Sequence, residues 1–234
     1  MEINYDNIKV IGFDADDTLW VNETYFREAE DEIGRLLSKY ETPNKIDQEL
    51  FKKEISNLPL YGYGIKAFTL SMVEVALELS NYTVSNKTIE AILNIGKNML
   101  NKPVELLDGV EKVLENLSKK YRLILATKGD LLDQERKLEK SGLTHYFHHI
   151  EVLSDKQEDN YSQMLNRLEV KPSEFLMIGN SLKSDVLPLV NLKAHAMHVP
   201  FHTTWAHEQV TEKETNGKDY KTINTLTELL KLIN

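Results

Sequence analysis

Five short apolar, β-rich runs punctuate the chain, at residues 9–13, 123–127, 149–153, 175–179 and 195–199. From the second run onward, stretches with helical periodicity separate them, at 109–119, 131–141, 161–168 and 184–192. Asp108 stands where an N-cap belongs, and Gly142 stands where a helix would end in a left-handed residue. Strands that alternate with helices can bury both kinds of apolar face only as a parallel sheet with helices on both sides. The expected fold class is therefore α/β, with a Rossmann-like parallel sheet core.

The first run does not obey that alternation. Between it and the second lie more than eighty residues that read as helix throughout, at 23–40, 47–56, 66–80 and 85–100. The segments "ETPNK", "LPLYGYG" and "NYTVS" separate them, and "NKPVELLDG" leads back to the alternating pattern. The expected organisation is a core domain built from 1–20 and 105–234, with an all-helical domain, 21–104, inserted after the first strand.

Composition narrows the partners. Among 234 residues, 28 Lys and Arg face 37 Asp and Glu, a net charge of −9, which disfavours nonspecific binding to nucleic acid or an anionic membrane. No apolar run reaches the roughly 18 residues of a spanning helix, and "MEINYDNIKV" lacks a basic segment followed by an apolar one. The expectation is a cytoplasmic protein with no nucleic-acid and no membrane partner. The absence of cysteine removes disulfides, thiolate zinc sites and a cysteine nucleophile. In "WAHEQVTEKE", His207 and Glu208 lack the second histidine of a zinc-protease helix.

Polar residues follow each of the first four strands. The stretch "KVIGFDADDTLW" sets Asp14, Asp16, Asp17 and Thr18 behind an apolar run. Thr127 and Lys128 end the second run, Lys156 follows the third, and Asn180 and Asp185 follow the fourth. In a parallel sheet these four stations meet at one edge, where ligands of such sheets bind. Carboxylates, a hydroxyl and lysines gathered there suit a hard cation beside a phosphate. Each residue alone is also an ordinary turn, cap or surface residue; the order and spacing of all four carry the reading.

In that order the stations resemble the motifs of the haloacid dehalogenase-like superfamily of hydrolases. Asp14, Asp16 and Thr18 match its DxDxT, Thr127 its strand-end Ser or Thr, and Lys156 its lysine, while "MIGNSLKSDV" matches its acidic fourth motif only in part. The resemblance implies a Mg²⁺-dependent phosphatase acting on a small-molecule phosphate ester. Asp14 would be the nucleophile that forms an aspartyl-phosphate, and Asp16 the acid and then the base. Thr127, Lys128 and Lys156 would hold the phosphate. Asp14, the Asp16 carbonyl, Asp185 and Asn180 would face the metal. Asn180 departs from the family, which often carries an acid there; an amide offers an oxygen without a charge. A phosphomutase, or a non-catalytic binding protein, on the same scaffold is an alternative, and Asp16 argues against a dehalogenase, which needs no acid for an alkoxide. By the same resemblance the helical insert is a cap, with Trp20, Tyr61, Tyr63 and Lys66 as candidates for substrate specificity.

Overall fold

The computed structural model describes residues 5–233; Met1–Asn4 and Asn234, the extreme ends of the expected core segments, lie outside the described residues. The chain divides into two compact units. One contains residues 5–23, 104–128 and 134–233 of the described chain; the other contains 24–103 and 129–133.

The first unit is a parallel sheet. Its strands are β1 (Val10–Phe13), β2 (Arg122–Lys128), β3 (His149–Leu153), β4 (Phe175–Gly179), β5 (His195–His198) and a two-residue β6 (Lys221–Thr222), in the order β3-β2-β1-β4-β5-β6. β1 is central, with Phe13 paired to Leu125 on one side and Ile178 on the other. The order reverses there, so the crevice at the carboxyl end of β1 is the topological switch point. Every side chain of β1 and β4 is buried, as a strand covered on both faces requires.

The alternation along the strands sorts two apolar layers. Ile11, Phe13, Leu123 and Leu125 pack with Val113, Leu114 and Leu138 on one face, and Val10, Ile124, Ala126 and Met177 with Met164, Leu165 and Leu189 on the other. The second unit carries four helices, α1 (Glu23–Leu37), α2 (Pro43–Tyr61), α3 (Ile65–Leu79) and α4 (Asn86–Asn101), around a separate core that includes Ile33, Leu50, Phe68, Met72 and Ile92. The sheet unit adds α5 (Val110–Leu117), α7 (Glu158–Arg167), the short α8 (Leu187–Asn191) and, from residue 134 onward, α6 (Leu131–Ser141). Among the described residues no helix is long and apolar enough to cross a membrane.

Four expectations need correction. Only Glu41 and Thr42 of "ETPNK" belong to the connection between α1 and α2: α2 starts at Pro43, whose fixed φ and missing N–H suit the first turn. That helix also runs through Pro59 to Tyr61, so the loop before α3 shrinks to residues 62–64. The N-cap of α5 is Gly109, in the left-handed region at φ 78°, and not Asp108. The helix expected over 184–192 begins as a π-helical turn, Leu182–Val186, before α8. Residues 129–133 also group with the helical unit, where the Lys66 ammonium lies 2.8 Å from Asp130.

Candidate active site

Asp14 follows β1 directly, and its N–H donates to the Ile178 carbonyl at 2.9 Å, so the end of β4 fixes its backbone. Its carboxylate is buried and faces Lys156, whose ammonium donates both to Asp14 and, at 2.6 Å, to Asp185 Oδ1. Lys156 is 1% exposed. A lysine buried that deeply stays charged only between anions. Burial alone would lower its pKa, but Asp14 and Asp185 hold it well above the ordinary value. Burial and the neighbouring Asp185 raise Asp14, against the pull of Lys156.

Thr18 joins the first station to the fourth. Its hydroxyl lies 3.1 Å from Asp14 Oδ2, and it accepts the Asn180 N–H at 3.0 Å. The tip of the Asn180 side chain lies 3.2 Å from each of Asp14 Oδ2, the Asp16 carbonyl and Thr18 Oγ1. With its nitrogen turned inward, the amide donates to these oxygens. With its oxygen inward, Asn180 presents an oxygen 3.2 Å from both Asp14 Oδ2 and the Asp16 carbonyl, close to the roughly 3 Å ligand separation of an octahedral cation with short metal–oxygen bonds. A hard divalent ion therefore fits this donor set.

Asp185 is held by two donors. Lys156 takes Oδ1, and the Ser181 N–H takes Oδ2 at 3.0 Å. Gly179 makes this possible, because a Cβ there would lie 2.3 Å from Asp185 Oδ2. Thr127 is buried near the end of β2, and Phe13–Leu125 pairing brings it to the same sheet edge as Asp14. Lys128 points to the other face of the sheet, where its ammonium donates to Glu208 at 2.7 Å and Ser184 at 2.9 Å.

Asp16 has a shell of its own. The Trp20 indole N–H donates to Oδ1 at 2.7 Å, Lys137 donates to the same oxygen at 2.9 Å, and Gln134 donates to Oδ2 at 2.9 Å. Burial would raise Asp16, but the Lys137 charge and the three donors hold it below its ordinary value. Asp17, at φ 61°, turns away and caps the start of α1 by accepting the Asn22 and Glu23 N–H groups. Burial pushes its carboxyl up to about 8.

The specificity candidates fall in different settings. Trp20 is buried and serves as the strut on Asp16. Tyr61 is exposed, with its hydroxyl donating to Glu74 at 3.2 Å, and Lys66 pairs with Asp130. Tyr63 is half-buried. Sequence reasoning missed Gln134 and Lys137, although their i, i+3 spacing puts two polar side chains on the same side of α6 as the buried Leu138. Glu208 carried no comparable signal.

The family profile of haloacid dehalogenase-like hydrolases matches residues 8–192. A haloacid dehalogenase-like family hydrolase from Xanthomonas campestris superposes with a TM-score of 0.85 at 34% identity, covering 97% of this chain and 92% of that one. Glyceraldehyde 3-phosphate phosphatase of Methanothermobacter thermautotrophicus is 30% identical over 122 residues, half of this chain and 53% of that relative, so the chain spans only about half that protein's length. Human N-acylneuraminate-9-phosphatase is 24% identical over 190 residues, 76% of this chain and 77% of that one.

Proposed function

The chain belongs to the haloacid dehalogenase-like hydrolases, and from that premise we propose that it hydrolyses a small-molecule phosphomonoester through a phosphoryl-Asp14 intermediate. The observation that carries this reading is the buried Lys156 ammonium between Asp14 and Asp185. It opposes the burial and the Asp185 charge that raise the Asp14 pKa, and it aims a desolvated carboxylate, which is what a carboxylate nucleophile needs. The phosphatases among its relatives support a small phosphate ester as the substrate class.

In this reading an Asp14 oxygen attacks phosphorus, and the bond from phosphorus to the alkoxide breaks. Asp16 gives the alkoxide its proton. A water then attacks phosphorus, Asp16 takes the proton, and the Asp14 carboxylate leaves. Asp16 is shared between three donors that favour its anion, so carrying a proton requires it to loosen from Lys137. Thr127 and Lys156 hold the phosphoryl oxygens as charge builds. Mg²⁺ held by Asp14, the Asp16 carbonyl and Asn180 would neutralise the phosphate as the anionic nucleophile approaches. Asp185 would complete the carboxylate set around the metal with the negative charge that Asn180 lacks, held in place by Lys156 and the Ser181 N–H. Lys128 would add positive potential from behind Thr127. Tyr61, Tyr63 and Lys66 are proposed to select the substrate, while Trp20 acts on Asp16.

Asp16 separates this reading from carbon–halogen cleavage, which has no alkoxide to protonate. The test is release of inorganic phosphate from a panel of sugar, nucleotide and acyl-sugar phosphates, with Mg²⁺ and with excess EDTA. The expected result is turnover of at least one ester that chelation abolishes and Mg²⁺ restores. Full turnover in EDTA removes the metal, and release of halide from 2-haloacids without any phosphate release overturns the reaction class.

A further inference from the structure

Glu208 lies beyond residue 192, where the family match ends, in a segment with little regular structure after β5. Its side chain is nonetheless largely buried, at 12% exposure. One carboxylate oxygen takes the Lys128 ammonium at 2.7 Å. The other takes the hydroxyls of Ser181 and Ser184, each at 2.5 Å. Lys183 secures the same segment by donating to the His207 carbonyl at 2.6 Å. A carboxylate taken out of water is stable only with its lone pairs satisfied, and here three short contacts come from two separate stations. Burial would raise the Glu208 pKa, yet Lys128 and the two hydroxyls pull it down to about 2.

The turn that Glu208 grips matters more than the grip. Ser181 sits between Asn180 and the π-helical turn that carries Asp185. The Ser181 N–H holds Asp185 Oδ2, and its Oγ caps the Ser184 N–H at 3.0 Å. A pull on Ser181 therefore reaches Asp185, then Lys156, then Asp14. A π-helical turn has poorer internal hydrogen bonding than an α-helix and needs outside ties.

We propose that Glu208 is a positioning residue: by clamping Lys128 and the Ser181–Ser184 turn together, it holds Asn180 and Asp185 at their working distances from Asp14. The catalytic part of this inference rests on the function proposed above, whereas the clamp itself does not.

Two measurements on the full chain test it. Hydrogen exchange on the metal-free protein reads the clamp without reference to any reaction. Glu208→Gln should raise exchange in residues 180–186 and leave β1 and β2 protected. Kinetics and calorimetric Mg²⁺ titration read the consequence. Partners of this kind, one shell out from a ligand, carry about 10- to 100-fold in metal affinity or activity. Glu208→Gln should thus weaken Mg²⁺ binding and lower kcat by about 10-fold or more, with KM for p-nitrophenyl phosphate little changed. Glu208→Asp should recover part of the loss, and in a Ser181→Ala/Ser184→Ala background Glu208→Gln should cost far less, because the coupled partners are already gone. Unchanged exchange at 180–186, or equal cost in both backgrounds, overturns the proposal. If Glu208→Gln does not fold, Ser184→Ala removes one donor without leaving a buried charge. It should then show the same local exchange and a smaller loss of Mg²⁺ affinity, and no change in either overturns the clamp. A wild-type protein that releases no phosphate, in which Glu208→Gln still loosens 180–186, overturns the reaction assignment and supports the clamp.

Discussion

The two units use charge in opposite ways. In the helical unit, ion pairs such as Lys45–Glu49, Lys52–Glu49 and Lys53–Glu78 sit on the surface, at 2.7, 2.8 and 2.6 Å. Its interior is apolar apart from small groups that satisfy each other, such as Asn57 donating to Ser71 at 3.1 Å. In the sheet unit, Lys156 is buried between Asp14 and Asp185, Lys137 reaches Asp16, and Lys128 reaches Glu208. Surface pairs contribute about 0–1 kcal/mol each. Buried pairs lose roughly as much in desolvation as they gain, so stability does not explain them. The contrast teaches where to look for chemistry: the strand ends hold charges that folding alone would discard, and the helical unit does not.

The contrast breaks first at Lys156. Lys156→Met leaves the Asp14 and Asp185 carboxylates buried without their cation, which should destabilise the fold by about 3–5 kcal/mol at neutral pH and abolish turnover. Denaturant unfolding checks this, and a variant of wild-type stability would mean that the buried charges are not coupled as described. Saturating Mg²⁺ should restore some stability by replacing the missing positive charge.

Glu208 tests the same contrast through pH. Its folded pKa of about 2 lies below its ordinary 4.5, so the ionised form favours the native state. That contribution is fully present above pH 4.5 and is lost as pH falls toward 2. The difference corresponds to at most about 3 kcal/mol. The stability gap between wild type and Glu208→Gln should thus be widest at pH 5–7 and close near pH 2, and a gap independent of pH would contradict it.

The smallest expected effect lies in the helical unit. Glu49→Gln removes the shared partner of Lys45 and Lys52, and should cost less than about 1 kcal/mol, falling further with added salt. A larger, salt-insensitive loss would erase the distinction between the two units.

Much of this was legible in the sequence because strands and helices have different periods. The positions of Asp14, Thr127, Lys156 and Asp185 follow from where apolar runs stop, and a parallel sheet brings such stops together. The extent of α2 was less legible, since proline reads as a breaker, although the first turn of a helix accepts Pro43 and the helix continues through Pro59 to Tyr61. What the periods could not carry were contacts across long sequence distances. Gln134 and Lys137 reach Asp16 from α6, and Glu208 reaches Lys128 from a segment without periodicity. The place of Trp20, two residues past Thr18, was legible, but the bond from its indole N–H to the Asp16 carboxylate was not.

The central claim is that Asp14 carries the phosphoryl group. A single turnover with a substrate found in the phosphate-release panel, quenched in acid and reduced with borohydride, converts an acyl phosphate into an alcohol that mass spectrometry locates in the peptide spanning residues 9–20. The account predicts reduction at Asp14 in the wild-type protein and none in Asp14→Asn, whose turnover should fall by at least about 10³-fold. Reduction at another residue, or phosphate release by a verified Asp14→Asn protein at the wild-type rate, would contradict it.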